Sequence, residues 1–178
     1  MKRILIVCLL LTAGTTLQNA YAQDETLIKT VTAGSGQARG GIEIWRLGFR
    51  TTPHLLFHSE SAHLTFGYEA SVSHLVHGDE GAAGIALSPV FVCYLGPKSN
   101  SVRPYLEAGL GVAAISDTEI ANRDLSSSFH FENRVGIGIR GRGYDLNLRY
   151  LHYSNSGLKE PNEGLDILMV SFGHGFVP

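Results

Sequence analysis

His152 and Ser154 stand two positions apart, and the carboxylates Glu163 and Asp166 follow across a short polar loop. These are the residue types of nucleophilic acyl transfer. A histidine takes the proton from a serine hydroxyl as the serine attacks a carbonyl, and a carboxylate orients the imidazole and stabilises its cationic form. The loop between them carries Asn155, Gly157 and Asn162, which offer N–H donors to the oxyanion that such an attack creates. Ester hydrolysis is therefore the chemistry to weigh. The competing reading is a rim of polar side chains sitting among lipid headgroups.

Geometry narrows the choice. In a strand, alternate residues share a face, so His152 and Ser154 lie about 6.6 to 7 Å apart along one side, close enough for an imidazole to meet a hydroxyl. They continue the even parity of Leu146, Leu148 and Tyr150, and Asp166 continues that of Leu168, Val170 and Phe172. All three polar residues are thus expected on the same surface as two apolar stripes, just beyond their end. Glu163 has odd parity and sits in the loop, which makes it the second choice for the acid.

The elements that must position these residues read as strands. Residues 27–35 and 41–50 are β-like in composition, with imperfect alternation. From residue 61 the period of two is clear: His63, Thr65, Gly67, Glu69, Ser71 and Ser73 oppose Leu64, Phe66, Tyr68, Ala70 and Val72. Alternation recurs over 84–95, 102–115, 129–139, 145–150 and 168–175, giving eight strands. Several reach the roughly 9 to 11 residues that a tilted strand needs to cross a bilayer. The polar faces carry Glu69, Glu107, Glu132, Arg103, Arg134 and Arg149, best read as ion pairs inside a lumen.

A soluble sandwich or lipocalin-like barrel would also alternate. Connection lengths favour a membrane barrel. The links around 51–53, 96–100 and 141–143 are short, and those at 117–127 and 155–164 are longer, as expected when turns face the periplasm and loops face outward. The fold class expected is all-β, an eight-stranded antiparallel transmembrane β-barrel of the outer membrane.

Composition agrees. Of 178 residues, 21 are glycine, many within apolar stretches that an ordinary helix would not tolerate. The formal charge of −2 lacks any basic run suited to nucleic acid. Residues 1–22 read as a cleaved signal peptide, with Lys2-Arg3, an apolar core and Ala20-Tyr21-Ala22, leaving 23–178 as one barrel domain. Cys8 falls in that signal, so Cys93 has no disulfide partner. His54 with His58, and His74 with His77, lack a third convergent ligand, so neither a metal nor another cofactor is expected.

The segment His152-Tyr-Ser154-Asn155-Ser-Gly157-Leu-Lys-Glu-Pro161-Asn162-Glu-Gly164 closely resembles the signature of the PagL-type lipid A 3-O-deacylases of Gram-negative outer membranes. Gly78-Asp-Glu-Gly81, Ser88-Pro-Val-Phe-Val92, the run 104–114 and Phe131-Glu-Asn-Arg134 also look like that family. The resemblance implies a serine esterase that removes the ester-linked 3-hydroxyacyl chain at position 3 of lipid A, remodelling lipopolysaccharide near the outer leaflet. Its catalytic residues match His152 and Ser154, and its oxyanion and positioning residues match Asn155, Gly157 and Asn162. The acid position falls on Asp166, where the family member compared carries Glu. Lipid A and outer-membrane lipids are the implied partners, and a homodimer is left open. The alternative is a non-enzymatic barrel with a structural or adhesion role.

Overall fold

The computed structural model describes residues 29–51 and 53–176. The expected signal peptide at 1–22, Cys8 and the start of the first strand at 27–28 lie outside the described residues. The strands run β1 (Lys29–Ala38), β2 (Ile42–Arg50), β3 (His54–His58), β4 (Ala62–His77), β5 (Glu80–Leu95) and β6 (Arg103–Ile115). They continue as β7 (Glu119–Ile120), β8 (Arg123–Asp124), β9 (Phe129–Arg140), β10 (Tyr144–Ser154) and β11 (Leu165–Phe176).

Eight of these close a ring. Each strand pairs antiparallel with the next, in the order β1, β2, β4, β5, β6, β9, β10, β11, and β11 pairs back onto β1. Closure removes the free sheet edges that membranes do not tolerate. The ring presents apolar side chains outward, from Val31 on β1 and Leu47 on β2 to Leu148 on β10 and Val170 on β11. No helix among the described residues is long and apolar enough to cross a membrane, so crossing falls to this belt of strands.

One expected connection is corrected. The chain does not reverse at 51–53: β3 continues along the same neighbour as β2, pairing with β4 at His54↔Phe66 after Arg50↔Glu69. The reversal comes at 59–61, where Ser59 N–H donates to Ala62 O. Pro53 cannot donate to the ladder, and a register shift between Leu55 and Phe57 removes the alternation there. The contrast in loop length is also only partial. Residues 39–41 and 78–79 turn tightly at the same end as the long loops, as the contacts of His77 with Gly41 O and of Glu80 with Ala121 N show.

Two levels of the lumen differ in character. Its middle holds a buried charge network in which Glu69 faces Arg134 (2.8 Å), Arg50 (2.9 Å), Arg149 (3.3 Å) and Arg46 (3.4 Å). Glu107 pairs with Arg50 and Arg149, and Glu132 with Arg46 and Arg134. Arg46 and Arg50 join the expected members. Arg103 lies apart from them, against His63 Nε2 and the ring of Tyr94. Gly136 shows how tightly the network is packed: a Cβ there would lie 3.0 Å from Glu107 Cγ and 3.1 Å from Arg149 Cβ.

The outer end of the lumen is apolar instead. Ile42, Ile44, Leu75, Leu151, Leu165 and Ile167 pack together there, and Ile120 and Leu125 from the 116–128 loop close the top. This plug explains the blurred alternation of residues 41–50, whose inner face is itself apolar at that level. It also gives the outer rim of β10 and β11 a rigid backing.

Candidate active site

Alternation on β10 sends Leu151 and Tyr153 into the plug and His152 and Ser154 outward. On β11 the buried Leu165 and Ile167 flank Asp166 in the same way. Both strands are therefore held from behind, which fixes the outward side chains to the wall. The register places His152 directly opposite Asp166. Nδ1 of His152 lies 2.7 Å from Asp166 Oδ1, with the two side chains 39% and 36% exposed. Pinning Nδ1 on the carboxylate leaves Nε2 as the nitrogen that can exchange a proton with a hydroxyl.

Ser154 is the last residue of β10, and its place across from β11 is taken by Gly164. A Cβ on Gly164 would lie 3.6 Å from His152 Cε1 and 3.7 Å from Ser154 Cβ, so this glycine borders both side chains. Its φ is +58°, and the same Cβ would come within 2.8 Å of Tyr153 O. No hydrogen bond joins Ser154 Oγ to the imidazole among the described residues. Gly164→Ala is expected to cost about 1–2 kcal/mol from the left-handed backbone alone. Thermal unfolding of the purified variant checks this.

The expected oxyanion residues organise the loop. Asn155 is fully buried, and its Nδ2 donates to Lys159 O (2.8 Å) and Leu125 O (3.4 Å). Its Oδ1 accepts from Gly157 N–H at 2.9 Å, and its own N–H donates to Asn162 Oδ1 at 3.1 Å. The backbone N–H groups of Asn155 and Gly157 thus already have partners within the loop. Asn162 is held by its oxygen, which turns its amide NH2 away from that contact.

Glu163 is engaged elsewhere. Its Oε2 accepts from Asp124 N–H at 2.8 Å, while Arg123 donates to Glu163 O (2.8 Å) and Gly164 O (3.2 Å). The second-choice acid therefore ties the 155–164 loop to the β7–β8 hairpin, and Asp166 is the carboxylate at the imidazole. Sequence reasoning missed two neighbours. Gly164 reads as an ordinary loop residue, and Tyr150 as one more member of the apolar stripe, yet the Tyr150 hydroxyl donates to Asp166 Oδ1 at 2.5 Å. Among the described residues no group of three or more His, Cys, Asp or Glu side chains could hold a metal.

Known proteins resemble this chain in both sequence and shape. Residues 43–175 match the family model described as lipid A 3-O-deacylase (PagL). A lipid A deacylase PagL of Pseudomonas aeruginosa is 40% identical over 111 residues, covering 61% of this chain and 63% of the relative. One from Bordetella bronchiseptica is 40% identical over 75 residues, 42% of each chain. The aligned part thus spans less than two thirds of either relative. The crystal structure of the outer membrane enzyme PagL superposes with a TM-score of 0.76 at 32% identity, covering 82% of this chain and 98% of that one.

Proposed function

The chain belongs to the lipid A 3-O-deacylase family, and we propose that it hydrolyses the ester-linked 3-hydroxyacyl chain at position 3 of lipid A, with Ser154, His152 and Asp166 as its catalytic residues. The observation that carries this reading is the position of the His152–Asp166 pair. It lies on the outer wall beside Ser154, where the apolar belt meets the polar rim. A lipid standing in the outer leaflet reaches that place from the side, with its acyl chains along the belt and its ester level with the rim.

The chemistry follows from the placement. Ser154 Oγ attacks the ester carbonyl as His152 Nε2 takes its proton, and Asp166 holds Nδ1 and stabilises the imidazolium. Collapse of the tetrahedral intermediate breaks the bond to the sugar oxygen, which leaves with the proton from Nε2. Water then attacks the acyl-serine by the same base and frees the hydroxy fatty acid. The amide NH2 of Asn162 is the donor proposed for the oxyanion, with Asn155 and Gly157 positioning the loop that carries it.

Release of free 3-hydroxy fatty acid from lipid A by the purified protein tests the activity. A barrel with only a structural or adhesion role would release none. The acid is tested separately. Asp166→Asn is expected to lower kcat by about 10² to 10⁴-fold, since the imidazole loses its orientation and its counter-charge. Glu163→Gln should cost far less, because it only loosens the contact with Asp124. The opposite order would show that the loop carboxylate serves the histidine.

A further inference from the structure

We propose that Tyr150 is a positioning residue for the reaction, holding the Asp166 carboxylate in the plane that receives the imidazole; this rests on the reading of Asp166 as the acid. Tyr150 and His152 project from the same face of β10, and both reach one atom. The tyrosine hydroxyl donates to Asp166 Oδ1 at 2.5 Å and His152 Nδ1 lies 2.7 Å from the same oxygen. One carboxylate oxygen thus meets two partners, which stand two residues apart on one strand.

The need for a second anchor follows from the side chain. An aspartate at the edge of the bilayer, about a third exposed, can turn its carboxylate toward water and leave Nδ1 without an acceptor. A tyrosine offers a rigid arm with few torsions to freeze. Its ring joins the apolar belt, 43% exposed, and its hydroxyl reaches the polar rim, the arrangement that places aromatic residues at membrane boundaries. The cross-strand partners of Tyr150 are Val135 and Leu168. Both are apolar, so neither side chain competes with Asp166 for the hydroxyl.

Tyr150→Phe keeps the ring in the belt and removes only the donor. With lipid A in detergent micelles, its kcat should fall about tenfold, the size expected when a hydrogen bond to a charged group is lost. KM should stay unchanged. Added to Asp166→Asn, the same change should cost nothing further, because the group it holds is already disabled. An unchanged kcat in Tyr150→Phe, with Asp166→Asn inactive, would reduce Tyr150 to a membrane-boundary anchor and overturn the inference alone. A rise in KM without loss of kcat would place Tyr150 on the substrate and overturn it equally. Full activity in Asp166→Asn would overturn the acid itself, and the proposed triad with it.

Discussion

Ser154→Ala and His152→Ala, made separately, are each expected to lower kcat by about 10³-fold or more while leaving the barrel folded. In the proposed mechanism the two residues act as a unit. Without the hydroxyl there is no acyl-serine to form, and without the imidazole nothing takes its proton, so the double variant should be scarcely worse than either single one. Stability is the internal control. Both side chains project from the outer wall and neither belongs to the buried lumen network, so unfolding should shift by no more than about 0.5 kcal/mol, the usual range for surface changes. Steady-state kinetics beside denaturant titration in micelles reads both. Substantial activity in either variant would remove that residue from the mechanism.

The largest effect on stability is expected from Glu69→Gln. Glu69 is fully buried and lies within 3.4 Å of four arginines. Neutralising it leaves Arg46, Arg50, Arg134 and Arg149 with only Glu107 and Glu132 among the acids of the network. Breaking a buried ion pair from one side typically costs about 3–5 kcal/mol, because the remaining charge is stranded away from water. The midpoint of unfolding in urea or guanidinium measures it. Glu43→Gln, on the exposed face of the same barrel, serves as the control, with no comparable partner among the described residues. Equal midpoints for wild type and Glu69→Gln would mean that water reaches the network and screens it.

Much of this architecture was legible in the sequence where the two faces of a strand meet different surroundings. Residues 129–139 and 145–150 alternate cleanly because lipid lies on one side and the charged lumen on the other. At 41–50 the signal blurred, since Ile42 and Ile44 enter the apolar plug while Trp45 and Leu47 face lipid. Arg46 and Arg50 share that inner face with them, so alternation alone does not mark the two arginines as network members. The β3 segment carries no such pattern, because Leu55, Leu56 and Phe57 lie at a register shift, where period two has no meaning.

For the site, parity correctly put His152, Ser154 and Asp166 on one outward surface. Parity alone does not fix register, however. That His152 stands directly opposite Asp166 depends on where the loop returns, and Gly164 sets that point by a left-handed turn. Asn155 and Gly157 carry donors that any reading of the loop would count, but only the folded loop shows those donors already taken by Asn162 and Asn155. Tyr150 reads as one more apolar position because its ring obeys the stripe. Its hydroxyl reaches diagonally across to the neighbouring strand, a relation that no pattern within one strand reveals.

The most direct test of an outward-facing serine esterase is mass spectrometry of lipid A from cells carrying either the wild-type barrel or Ser154→Ala at equal amounts in the outer membrane. The expected result is lipid A short of one 3-hydroxyacyl chain, missing from position 3, with the wild type and intact lipid A with the variant. Lipid A that is identical in the two strains, or that loses a chain from another position, would contradict the account.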